Sequence, residues 1–147
     1  MSAHQSLIKT SLLFLIASAI FLVLPKKVLA RVMINELLPD PSGDEKTEEW
    51  VELYNSDDAP IDVVGYKLKD ASDHELEIGL AYIEGSTLIT GKGWLLIKRN
   101  NHPNFSLNNT GTETISLWNN ASPSAQLDTF SYSGSAENKS WGRIPDG

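Results

Sequence analysis

The sequence predicts an all-β protein, a sandwich of two antiparallel sheets. All ten glycines and six of the seven prolines fall after residue 30, where they punctuate short apolar segments. Within those segments apolar and polar residues alternate, the period of a half-buried strand. No stretch of ten or more residues there keeps a helical period. About seven to nine short strands, each followed by a turn signal, are what a sandwich requires.

The first thirty residues have a different character. Lys9 precedes an uncharged run from Thr10 to Pro25 rich in Leu, Ile, Phe and Val, and Val28-Leu29-Ala30 supplies small or modest residues where a signal peptidase cuts. The pattern predicts a signal-peptide helix over residues 1–30, removed after Ala30. Its sixteen uncharged residues fall short of the ~20 that span a bilayer. Lys26 and Lys27 behind the run also oppose its use as an anchor. An uncleaved leader would be the only expected tie to a membrane, and the expected address is secreted or cell-envelope.

Residues 31–147 suit one domain with one core. Losing the leader removes three lysines and no acid, so the formal charge moves from −7 to −10. An acidic chain whose richest basic group is Lys92, Lys98 and Arg99 is not expected to bind nucleic acid. Cysteine is absent. That excludes disulfides, thiolate metal sites and cysteine catalysis, and leaves stability to the apolar core.

In chain order, Val32–Leu37 reads as the first strand, ended by Pro39. An acidic, turn-rich loop, 40–47, leads into Glu48–Asn55, where Val51 and Leu53 form one face and Trp50, Glu52 and Tyr54 the other. Ile61–Asp70 reads as a single strand with Val64, Tyr66 and Leu68 on one face, and Gly65 inside it as a bulge or a close backbone approach. Leu76-Glu77-Ile78 is a short strand, and Leu80–Ile83 a further strand or one helical turn. Thr87–Thr90, Gly91-Lys92-Gly93 and Trp94–Lys98 read as strand, turn, strand, the last apolar on both faces and so central or packed by a neighbour. Phe105 and Leu107 tack a loop onto the core. Glu113–Trp118, Ala125–Tyr132 and Ser140–Ile144 complete the set.

The ordered segments Ile34-Asn35-Glu36-Leu37, Glu49–Asn55, Val64–Asp70, the glycine turn before Trp94–Ile97, and Ser140–Gly147 resemble the bacterial branch of the lamin tail domain family over Val32 to Gly147. The resemblance implies an immunoglobulin-like sandwich that binds or scaffolds, in exported proteins often joined to hydrolases or nucleases. Members of that branch usually continue past the Arg-x-Pro-Asp-Gly stretch, so a truncated product or a fragment of a longer protein is an expectation here. The partner it implies is an unidentified protein or polysaccharide.

Little in the chain points to catalysis. Beyond the leader only His74 and His102 remain, and neither Ser72 nor Ser106 sits in a nucleophile elbow. No cofactor is expected. Asp40, Asp44 and Glu48 supply hard oxygens that suit calcium, but the spacing is not that of an EF-hand loop, and a solvated acidic loop is the preferred reading. Asn35, Glu36, Glu49, Trp50, Glu52, Asn55 and Arg143 stand out as binding or structural residues. Glu36 and Glu52 on neighbouring strands require donors, Arg143 foremost, in a clamp holding the last strand. The seven aromatics Trp50, Tyr54, Tyr66, Trp94, Trp118, Tyr132 and Trp141 read mostly as core, with a carbohydrate-stacking platform as the alternative.

Overall fold

The computed structural model describes residues 32–147; the expected signal peptide lies outside the described residues. Ten strands and one helical turn follow in order: β1 (Val32–Leu38), α1 (Glu45–Glu48), β2 (Trp50–Asn55), β3 (Ile61–Asp62), β4 (Lys67–Lys69), β5 (Glu75–Glu77), β6 (Leu88–Ile89), β7 (Trp94–Lys98), β8 (Thr112–Trp118), β9 (Gln126–Ser133) and β10 (Trp141–Gly142). They form two four-stranded antiparallel sheets, ordered β10-β1-β2-β7 and β5-β4-β8-β9, and a small β3-β6 pair. The architecture is the predicted all-β sandwich.

Parity explains the core. Ile34 and Leu37 of β1, Val51 and Leu53 of β2 and Leu95 and Ile97 of β7 turn inward from the first sheet. Leu68, Leu76, Ile115 and Leu117 meet them from the second. Phe105 and Leu107 pack onto this core from a loop, as expected. Ile34 and Leu37 are three apart yet both buried because Asn35 is inserted as a bulge: Ile34 faces Leu53 but Glu36 faces Glu52.

Several elements differ from the sequence reading. Residues 61–70 make two strands in different sheets. Between them Tyr66 N–H donates to Val63 O at 3.0 Å, and Gly65 sits at φ +73°, the third position of a tight turn that only glycine occupies without strain. Val64 is therefore half exposed and does not share the inward face of Leu68. The glycine turn at 91–93 does not make a hairpin either. β6 pairs with β3 and β7 with β2, and Gly91 passes so close to the Asp58 backbone that a Cβ would lie 1.9 Å from its carbonyl oxygen. β7 is an edge strand, with Trp94 and Leu96 on its outer face. The 40–47 loop contains the start of a helical turn capped by Asp44, and Leu80–Ile83 forms neither strand nor helix.

Candidate functional site

At one pole of the sandwich, acidic side chains extend the inward parity of three strands by one step. Glu49 precedes Val51 and Leu53, Asp70 follows Leu68, and Glu113 precedes Ile115 and Leu117; all three are buried. A carboxylate there is costly unless donors reach it. The donors are loop amides. Asp70 accepts from Ser72 N at 2.9 Å and His74 N at 3.0 Å, and meets His74 Nδ1 at 2.9 Å. Glu113 accepts from Ala71 N at 2.7 Å, Thr114 N at 3.1 Å and the Asn108 amide. Glu49 accepts from Leu107 N and Arg99 Nη1, both at 3.2 Å. Together these bonds strap the 105–109 loop over the end of the core, and Tyr132 adds a hydroxyl donation to Asn108 O at 2.9 Å.

Electrostatics at this pole follow burial. Desolvation pushes the Glu49 carboxyl up to about 7, against the Leu107 amide and the Arg99 guanidinium, which pull it down. Burial, reinforced by Glu113 and Glu49, holds the Tyr132 phenol well above its ordinary range. His102 is pushed below the usual imidazole range by desolvation first and Arg99 second. That fits its geometry, since Nδ1 accepts from Phe105 N at 2.9 Å and so must carry no proton. The His74 ring meets the Asp70 carboxylate, and the His102 ring holds loop backbone.

At the opposite pole Asn55 is fully buried. Its Nδ2 donates to Ala59 O at 2.8 Å and Thr90 O at 3.0 Å, while its Oδ1 accepts from Asp57 N at 3.0 Å. One amide thus ties β2 to the 56–60 loop and to the exit from β6.

The expected clamp on the last strand exists with different partners. Glu36 and Glu52 face each other across β1 and β2 as expected, but Arg143 does not reach them. Arg143 Nη2 donates to Asp128 Oδ1 and Thr129 O, both at 3.0 Å, because β10 pairs with β1 on the side away from β2. Asp128 also accepts from Ile34 N at 2.8 Å and so joins the two sheets. The donor to Glu52 is Asn35: its Nδ2 lies 2.9 Å from Glu52 Oε1 and 3.2 Å from Asp146 Oδ1, and its Oδ1 accepts from Gly147 N at 3.1 Å. The bulge that buries Asn35 creates this junction.

Asp44 caps α1 by accepting from Lys46 N, and Glu45 accepts from Asn109. Among the described residues no three acidic or histidine side chains converge as metal donors.

None of the four tryptophans is buried, contrary to the core reading. Trp50, Trp94 and Trp118 lie on outer sheet faces, where alternation sends every residue that opposes a buried neighbour. Trp94, 52% exposed, stands 5.5 Å from the Tyr54 ring. A cleft of about 270 Å³ beside it is lined by Glu84, Trp94, Leu95, Leu96 and Lys98. A second cleft, about 390 Å³, runs between Trp141 and the 133–140 loop.

Asp70, Glu113, Asp128 and Arg99 were not singled out from sequence. For Asp70 and Glu113 the signal was present: each holds the inward parity of its strand. Asp128 and Arg99 carry no comparable mark.

A family model described as the Lamin Tail Domain matches residues 25–136. No curated protein and no solved structure matches the chain.

Proposed function

This chain belongs to the lamin tail domain family, a non-enzymatic immunoglobulin-like fold, and from that premise we infer that it is an exported module that binds or scaffolds without catalysis of its own. One observation carries the reading. The buried acids Glu49, Asp70 and Glu113 all accept loop amides, whereas the outer face of the first sheet presents Trp94, Leu96, Tyr54 and Trp50 to solvent or half so. Exposed apolar groups gathered on one face support an interaction surface. Export rests on the leader.

The test has two arms. The purified chain is assayed against nuclease, esterase and protease substrates and is expected to be silent; turnover lost on His74→Ala or His102→Ala contradicts the reading. Mass spectrometry of the exported chain is expected to give Arg31 as the first residue, and a chain that keeps Met1 contradicts cleavage after Ala30.

A second reading, carbohydrate binding, draws on Trp141. This residue is 42% exposed beside the cleft that Ser133, Ser135 and Ser140 also line, an aromatic platform next to hydroxyls. Retention on immobilised polysaccharide that disappears in Trp141→Ala is the expected result; retention that survives excludes this cleft.

A further inference from the structure

The cleft beside Trp141 is built from parts held in place. The indole donates from Nε1 to Gly134 O at 3.0 Å, and the buried Tyr132 ring stands 6.3 Å from it, centroid to centroid. Its orientation is thereby fixed. The 133–140 loop is pinned toward both ends: Gly134 N donates to Gly111 O at 2.8 Å and Ser135 N to Asn109 O at 3.0 Å, while Asn138 N donates to Asp40 O at 2.7 Å and its Oδ1 accepts from Ser42 N at 3.0 Å. A cleft of about 390 Å³ between such parts loses little free energy to ordering when it is filled.

The lining of this cleft carries one charge. Lys139 is the ionisable side chain among its lining residues, and among the described residues it enters none of the ion pairs that engage Lys67, Lys69, Lys92, Lys98, Arg99 and Arg143. The other clefts differ. Beside Trp94, Lys98 is paired with Glu84 at 2.9 Å, and a neighbouring cleft of about 320 Å³ adds Glu48 to that pair. In a chain of formal charge −7, the Trp141 cleft is thus the one of these three with an unbalanced positive lining. The exposed Ser133 and Ser140 hydroxyls also open onto it.

We propose that this cleft binds a carboxylate-bearing sugar, a uronic acid unit of an acidic polysaccharide, with its ring on Trp141, its carboxylate on Lys139 and its hydroxyls on Ser133 and Ser140. This names the ligand of the carbohydrate reading given above and rests on that reading. A pyranose presents a face of C–H groups that covers an indole. Serine hydroxyls both donate and accept, as sugar hydroxyls do. One lysine answers one carboxylate charge, whereas a phosphate is held by grouped backbone amides or by an arginine fork. Here the amides of Gly134, Ser135, Asn138 and Lys139 are taken by Gly111, Asn109, Asp40 and Ala136, and Arg143 is bound to Asp128 and Thr129. That separates a uronate from a nucleotide, whose base would also stack on an indole.

Retention of the full chain on immobilised polygalacturonate, alginate and hyaluronate tests this, each beside its methyl ester, which keeps the rings and removes the charge. The buffer holds a non-ionic detergent without a sugar head group, because residues 10–25 are apolar, and about 0.15 M salt, where the Debye length is about 8 Å and only local charge contacts persist. The wild-type chain is expected to bind at least one of the charged polymers about tenfold more tightly than its ester. Lys139→Gln is expected to lose that preference, and Trp141→Ala to lose binding altogether. Lys98→Gln, the same charge change at another cleft, is expected to alter neither. Equal binding to charged and esterified forms, lost in Trp141→Ala but not in Lys139→Gln, overturns the proposal and leaves the carbohydrate reading standing; no binding to any form overturns both. A preference weakened equally by Lys98→Gln is diffuse charge and contradicts the proposal. So does displacement by AMP at a lower concentration than by galacturonic acid, which assigns the cleft to phosphate.

Discussion

The strapped pole and the β7 edge treat polar groups in opposite ways. At the pole, Glu49, Asp70 and Glu113 sit almost out of water, and each is met by backbone amides or a side-chain donor of the 71–74 and 99–114 segments. At the edge, Trp94 and Leu96 are exposed and their outward backbone groups have no strand beside them. The contrast separates two uses of unusual residues. A buried acid whose lone pairs are filled from within is architecture, because removing it leaves orphaned donors in a dry place. An apolar pair on an open edge contributes little to the fold and is free to meet a partner.

Breaking the pole should be the most damaging change. Glu113→Ala strands the Ala71 amide and the Asn108 side chain, and the expected loss is about 3–5 kcal/mol, read by urea unfolding. A loss under about 1 kcal/mol would mean that the acid is not structural. Asn55→Ala removes the tie at the opposite pole and is expected to cost about 2–3 kcal/mol in the same assay; Leu53→Ala, an apolar cavity of about 2–5 kcal/mol, calibrates the scale.

Acidity sharpens the comparison. The Glu49 carboxyl is raised from 4.5 to about 7 by burial, so the folded state holds a proton that the unfolded chain releases. That contribution is fully present below about pH 4.5 and is lost as pH rises through about 7, by up to about 3 kcal/mol. His102 acts in the other direction: its depressed value favours the neutral ring, and its stabilisation is present above about 6.5 and lost as pH falls. Unfolding free energy measured from pH 5 to 8 should therefore fall toward the alkaline end in the wild type and flatten in Glu49→Gln. Parallel profiles would show that Glu49 is charged throughout.

The C-terminal junction stands between the two regimes. Asn35→Ala releases Glu52, Asp146 and the Gly147 amide, and about 1–2 kcal/mol is expected; Glu52→Ala, which removes one partly buried acceptor, is expected to cost about 1 kcal/mol. Trp94→Ala should be the mildest for folding, within about 0.5 kcal/mol by urea unfolding. A large stability loss there would place Trp94 in the architecture and dissolve the contrast.

Much of this was legible in the sequence through a single device, the period of two. It put Val51 and Leu53 on one apolar face and Leu68 on another, both of which turn inward, and predicted the sandwich. It also carried the caps, since Glu49, Asn55, Asp70 and Glu113 each continue an inward series by one position; a polar residue at inward parity at the end of a strand marks a site where a loop must supply partners. Strand pairing was less legible. Trp94–Lys98, apolar on both faces, read as central or as packed on its outer face by a neighbour; it is an edge strand with Trp94 beside Tyr54, since periodicity does not record which neighbour a strand takes, and Gly91-Lys92-Gly93 carries the chain between sheets where a hairpin was expected. The Arg143 clamp was assigned to the wrong carboxylates for the same reason: strand order, which puts β10 beside β1 and away from β2, is a property of the assembled sheets.

Amide hydrogen exchange in dilute solution tests the contrast most directly. The Ala71, Ser106 and Leu107 amides, which donate to Glu113, Asp70 and Glu49, are expected to be protected. The Trp94 and Leu96 amides, with no strand beside them, are expected to exchange freely. Slow exchange of Trp94 and Leu96 at high dilution, or fast exchange of the strapped amides, would contradict the account.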